Sequence, residues 1–131
     1  MATDDKGIID LSYEAAEDLS GHQYKAVVLD AGKVRLPDAA TEAALGILEN
    51  GPAEGEAAAV RRLGISKVHL GGTVAPGDHV TFEYNSASDS GKIATCATTL
   101  TQTMGICEEG GAEDELGSAL ITFPFTINVA S

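Results

Sequence analysis

The sequence predicts a mainly β fold, a small β-barrel with at most one or two short helices and a flexible N-terminal arm. Three observations lead there. Residues 45 to 82 break into short apolar runs separated by Asn50-Gly51-Pro52, Gly55, Gly64, Gly71-Gly72 and Pro76-Gly77-Asp78, where glycine supplies positive φ and proline ends ladder pairing. Lys67 to Leu70 and His79 to Tyr84 alternate between apolar and polar positions, with Val80, Phe82 and Tyr84 sharing a face. Towards the C-terminus, Ala119, Ile121, Phe123, Phe125, Ile127 and Val129 share one face, opposite Leu120, Thr122, Pro124, Thr126 and Asn128. A length of 131 residues suits one domain. We divide the chain into an arm, residues 1–22, and a single β-rich domain, residues 23–131.

The arm carries Asp4, Asp5, Asp10, Glu14, Glu17 and Asp18 against Lys6 alone. Its spacing allows a short helix through Tyr13 to Leu19, and Ile8, Ile9, Leu11 and Tyr13 have something to pack on only when docked. Tyr24 to Leu29 and Val34 to Leu36 form the first hairpin, joined by Asp30-Ala31-Gly32, with Lys33 and Arg35 left wet. Pro37-Asp38 stops it, and Ala39 to Leu45 suits one or two helical turns with Asp38 and Glu42 on a solvated face. Glu56 to Leu63 is ambiguous from its residues: Ala-rich composition favours helix, whereas eight residues between two glycines are short for one. Arg61-Arg62 stands out as a positive spot, matched by nearby carboxylates or by one across a subunit boundary.

In Pro76-Gly77-Asp78 the Asp78 carboxylate is placed to accept backbone hydrogen bonds. Asn85 to Gly91 reads as a polar loop. Lys92 to Thr103, rich in threonine, and Met104 to Cys107 read as strand, followed by an acidic loop, Glu108 to Glu115, with five carboxylates. That loop lacks the positional pattern of a calcium site. Pro124 cannot donate to a ladder, so the last strand should be an edge, bulged, or split in two.

Eight basic against twenty acidic residues give a formal charge of −12, which argues against a nucleic-acid partner. No apolar run approaches a membrane span, and the acidic start lacks a leader-like pattern, so synthesis in a reducing cytoplasm is expected. Such synthesis favours two free, mostly buried thiols at Cys96 and Cys107 over a disulfide. His22, His69 and His79 have no zinc-like spacing, and Gly71-Gly72 lacks the ending of a nucleotide loop. Nucleophile turns and metalloprotease motifs are also missing, so neither an enzyme nor a cofactor is indicated. With three Phe, three Tyr and no Trp, large side chains are scarce, which makes contacts between subunits a useful supplement.

Residues 24–36, YKAVVLDAGKVRL, and 45–82, LGILENGPAEGEAAAVRRLGISKVHLGGTVAPGDHVTF, also carry a family resemblance. In order they give an apolar strand, an Asn-Gly-Pro turn, a Gly-Glu-Ala-rich strand and a Gly-Gly-x-x-x-x-Gly-Asp turn. This succession resembles the capsid cement or decoration proteins of tailed bacteriophages, over roughly residues 20 to 110. The polar Thr-rich segment, acidic loop and long apolar terminal strand after Gly91 depart from the usual pattern.

The resemblance implies a β-barrel or β-tulip-like domain and tips Glu56 to Leu63 towards strand. It also implies a homotrimer on the outside of an expanded phage head, bound to the major capsid protein at local threefold sites and bracing it against internal DNA pressure. The protein would then be made in the host cytoplasm and reside on the outer surface of the virion. Expected contacts are Ile8, Ile9, Leu11, Tyr13, Leu19 and Tyr24 near the arm, Asn50, Pro52 and Pro76 in the turns, and Arg61 and Arg62. The alternative is a soluble β-barrel ligand-binding module, which calls for a concave patch of aromatics that this chain is poor in.

Overall fold

The computed structural model describes residues 8–96 and 102–126. Among them the fold is all β, with no helix. Strands β1 (Ile9–Ala15), β2 (Ala26–Asp30), β3 (Lys33–Arg35), β4 (Ala44–Leu48) and the first half of β5 (Ala57–His69) form a ring in the order β1-β3-β2-β4-β5. The ring is shut by β1 lying antiparallel against β5, from Ile9 opposite Leu63 to Glu14 opposite Ala57. A parallel contact of β1 with β3 completes the circuit. The second half of β5 continues into another layer with β9 (Leu116–Thr126), β8 (Gln102–Glu109), β6 (His79–Ser86) and β7 (Asp89–Thr95), in the order β5-β9-β8-β6-β7.

The change of sheet happens within one strand. Up to Leu63, β5 pairs with β1 and β4; from Gly64 to His69 it pairs with β9. Gly64 sits at φ 117°, where a side chain would be strained, and supplies the bend. The segments read separately as Glu56 to Leu63 and Lys67 to Leu70 are therefore one strand.

Two cores result. The barrel interior is filled by Ala15, Leu19, Val27, Val34, Leu36, Leu45, Leu48, Ala58 and Val60, with Tyr13 packed against them. The second core lies between the outer side of β2 and β4, through Ala26, Ala44 and Ile47, and the inner face of the second layer, through Val68, Val80, Phe82, Ile93, Met104, Cys107, Ala119 and Ile121. Strands β2 and β4 thus form a wall with apolar contacts on both sides. This accounts for their continuous apolar runs, AVV and ALGIL, in place of alternation.

The wall tolerates little added volume. A Cβ on Gly46 would lie 2.3 Å from the Arg61 carbonyl oxygen and 2.9 Å from Val60 Cγ1, because β4 approaches β5 closely there.

Several expected elements take a different form. The segment expected as an arm contributes β1, and the expected helix through Tyr13 to Leu19 is replaced by strand as far as Ala15. Pairing with both β3 and β5 satisfies its backbone better than one isolated turn of helix would. The helical turns expected over Ala39 to Leu45 reduce to a turn with Glu42 N–H bonded to Ala39 C=O, and β4 begins at Ala44. Glu42 organises that turn: its carboxylate takes two hydrogen bonds from Arg35, at 2.6 and 3.1 Å, and one from the Asp38 amide at 2.7 Å. It is a structural anchor rather than part of a solvated face.

Asn85 to Gly91 is a tight hairpin between β6 and β7, with Ser86 opposite Asp89. The last strand is internal from Leu116 to Ile121, between β5 and β8. Beyond Ile121 it pairs with β8 alone, and the register shifts between Ile121 and Phe125, so Pro124 falls at an irregularity, one of the three expected solutions. Ile127 and Val129 lie outside the described residues.

The first hairpin matches expectation, with Asp30 opposite Lys33 and the turn residues Ala31 and Gly32 both at positive φ, as a type I′ connection requires. The Asp78 carboxylate accepts from the Ala75 amide and from Thr95 Oγ1, each at 3.1 Å. Cys96 and Cys107 are free thiols, the second buried.

Two predictions follow from this packing. Gly46→Ala should lower the urea midpoint and destabilise the fold by about 1–3 kcal/mol, whereas Gly72→Ala, where a Cβ meets open space, should stay within about 0.5 kcal/mol of the parent. The Arg35 guanidinium, aided by the Asp38 amide, holds the Glu42 carboxyl down at about 2. Its stabilisation is present above the unfolded carboxylate value of 4.5 and is lost as pH falls towards 2. Both partners keep about a quarter of their side-chain exposure, so solvent screening reduces the effect, and Glu42→Gln should cost about 1–2 kcal/mol at pH 7. The variant's urea midpoint should also change less than the parent's between pH 4.5 and pH 2.

Candidate docking surface

The sequence-predicted contact residues fall into two groups. Ile8, Ile9 and Leu11 lie exposed on and before β1, and Pro76 is exposed in its turn. The others have work inside the chain. Leu19 is fully buried in the barrel interior, and its amide donates to the carbonyl of Pro52, itself buried. Tyr24, at φ 70°, donates its amide to Leu48 C=O and accepts from the His69 amide, linking β4 to β5. The Asn50 side chain extends the β4–β5 ladder, donating to Ala57 C=O and accepting from the Ala59 amide, each at 3.0 Å.

Arg61 finds its carboxylate within the chain. Its Nε and Nη2 donate to the two Asp10 oxygens, both at 2.8 Å, and Nη1 donates to Ile65 C=O at 2.7 Å. Glu49 Oε1 lies 3.7 Å away, and Glu49 Oε2 accepts from Ser66 Oγ at 2.6 Å. The node ties β1, the end of β4 and both halves of β5 at the point where β5 changes sheets. Hydrogen bonding to Arg61 holds the Asp10 carboxyl below the ordinary carboxylate range; burial pushes Glu49 the other way, opposed by Ser66 and Arg61. Arg62 donates to the Tyr13 hydroxyl at 3.1 Å, a further link between β5 and β1.

A second polar cluster holds the 110–115 loop to the end of β5 and to β7. Asp114 Oδ1 meets His69 Nε2 at 3.0 Å and Lys92 Nζ at 2.9 Å, and Lys92 also reaches Asp89 at 3.3 Å. Nearby, Lys25 lies 2.9 Å from His22 Nδ1, and burial lowers the affinity of both groups for a proton. Cations and carboxylates alternate here, which suits cross-linking rather than proton-transfer chemistry. Among the described residues, no group of three or more His, Cys, Asp and Glu side chains could hold a metal ion.

The feature missed by sequence reasoning is a row of apolar side chains on the outer face of the second layer. Ile65 of β5 lies opposite Leu120 of β9, Leu120 opposite Ile106 of β8, and Ile106 opposite His79 of β6. Directly opposed residues share a face, so the row crosses four strands. Ile65 is 54% exposed, Leu120 39% and Ile106 40%, and Leu116, two positions of alternation from Leu120, is 54% exposed. A shallow depression of about 90 Å3 lies along it, lined by His79, Thr103, Gly105, Ile106, Leu120 and Thr122. Leu120 was legible only as a residue opposite the apolar set; its neighbours in the row come from strands whose order no local pattern reveals.

No family model and no curated protein matches the sequence. Solved structures do. One is described as the head fiber gp8.5 N base in bacteriophage phi29, which is 15% identical, with 95% of this chain and 99% of that chain covered and a TM-score of 0.66. The two share a fold. At this identity the likeness concerns architecture, and it spans the barrel and the second layer alike.

The Arg61 node generates a prediction about the ring closure. Asp10→Ala should destabilise the fold by about 0.5–1 kcal/mol, since Asp10 keeps more than a third of its side-chain exposure. Amide exchange should accelerate most in β1 and its β5 partners, from Ala57 to Leu63. Uniform acceleration across both layers would contradict a local role.

Proposed function

We propose that this chain is a structural protein of a tailed-phage head, seated on the outside of the expanded shell. The observation that carries this reading is the shared fold with the head fiber base of phage phi29, over nearly the whole of both chains. The resemblance of residues 24–36 and 45–82 to cement and decoration proteins supports the same role from sequence. In that role the chain binds the major capsid protein as a homotrimer at local threefold sites and braces the shell against internal DNA pressure. Each subunit supplies a modest contact, and linkage in threes raises the effective concentration of the other two. The charge of −12 keeps the free protein soluble at high copy number.

The ligand-binding alternative has less in its favour. The barrel interior is filled by its own Leu, Val and Ala side chains. A depression of about 440 Å3 beside Ser12, Tyr13, Glu14, Gly32, Gly55, Glu56 and Ala57 is broad and open, unlike an enclosed apolar pocket.

The test is saturation binding. Purified protein is mixed with undecorated expanded heads from its own source, and bound copies are counted after sedimentation. Saturation at three copies per local threefold site is expected. Absence of binding by folded protein would sink the head-surface role and put the ligand-binding module first.

A further inference from the structure

We infer that the outer face of the second layer, along Ile65, Leu120 and Ile106, is the surface that seats on the shell, against a protein patch apolar at its centre and basic at its rim. The inference rests on the head-protein reading above and assigns its contact surface. Each side chain of the row is carried by a different strand and set directly opposite the next, so backbone pairing fixes their spacing before any partner arrives. Twenty of the chain's residues are acidic, yet the four row positions, Ile65, Leu120, Ile106 and His79, hold none. Exposed Glu108 and Glu109 follow Cys107 on β8, Glu109 accepts a hydrogen bond from Ser118 beside the row, and exposed Lys67 lies opposite Ser118, so two carboxylates and one ammonium border the apolar centre. An apolar centre free of charge with a polar rim is the anatomy of a protein interface. The shallow depression between Ile106 and Leu120 offers a seat for one inserted side chain.

Charge and area select the occupant. Two copies docked through this face would bring Glu108 and Glu109 of both into one interface. The exposed parts of Ile65, Leu120, Ile106 and Leu116 amount to on the order of 300 Å2, well short of the roughly 800 Å2 per partner of a stable free dimer. A small apolar seat with an acidic rim suits a fixed surface of opposite charge, engaged by several linked copies at once. Continuity with the exposed start of β1 adds to the area, since Ile9 lies opposite Leu63, two residues from Ile65.

The experiment compares Ile106→Asp and Leu120→Asp with the parent and with Leu29→Asp, a control at an exposed apolar position on the barrel. Both target side chains are substantially exposed, and circular dichroism with a urea midpoint confirms that each variant folds. Apparent affinity for undecorated expanded heads should fall about tenfold or more for both row variants and stay near the parent for the control. Row variants that bind heads as the parent does would overturn the assigned face and leave the head-surface role standing. A parent that fails to bind would remove both. If Ile106→Asp instead breaks up an oligomer of the free protein in sedimentation, the face belongs to a second copy and the shell assignment is wrong.

Discussion

The bend of β5 at Gly64 lets one backbone serve two sheets, and the remaining pairings are arranged around it. Before the bend the strand closes the barrel through β1 and β4; after it the strand begins the second layer through β9. A bent strand needs fixing from outside its own ladder. Arg61 does this, reaching back to Asp10 and forward to the Ile65 carbonyl, with Glu49 and Ser66 bonded beside it. Three elements are thereby referred to one guanidinium, whose planar fork suits several acceptors at once. Side-chain hydrogen bonds at this spot hold geometry more than they add net stability.

The scarcity of large aromatics is met by dividing the interior. One deep core built from Ala, Val and Leu would leave gaps; two thin cores on either side of β2 and β4 let small side chains make contact across short distances. Gly46 is restricted within the sheet instead, by the close approach of β4 to β5. The same division makes the second layer a plate whose described inner-face residues, from Val68 to Ile121, pack on β2 and β4.

Much of this was legible in local pattern. The turn residues Ala31-Gly32 and Asp78 declare themselves chemically, and the alternation through Ala119 and Ile121 marks a strand with one buried face. What escaped local reading is non-local. Ile9, Leu11 and Tyr13 looked stranded because their partners, Leu63, Val60 and Ala58, lie half the chain away in sequence. Asn85 to Gly91 looked like loop because polar residues also suit an exposed hairpin tip. Glu42 looked solvated until Arg35 folded onto it. The apolar row depends on β5, β9, β8 and β6 lying side by side, an order that crosses the sequence and leaves no periodic trace. Asn50, an expected contact, also extends the β4–β5 ladder, because polar turn residues serve ladders as readily as partners.

The long return from β1 to β5 has a consequence for how the chain is made. Synthesis delivers Ile9 to Ala15 before their main partner strand, which ends at His69, so the barrel stays open until β5 has left the ribosome. During that interval an unpaired strand edge and exposed Ile9 and Leu11 invite other nascent chains. Asp10, set between Ile9 and Leu11, places a charge within that apolar stretch, a pattern that disfavours such pairing. Asp10 later becomes the partner of Arg61, so one residue guards the strand before closure and anchors it afterwards.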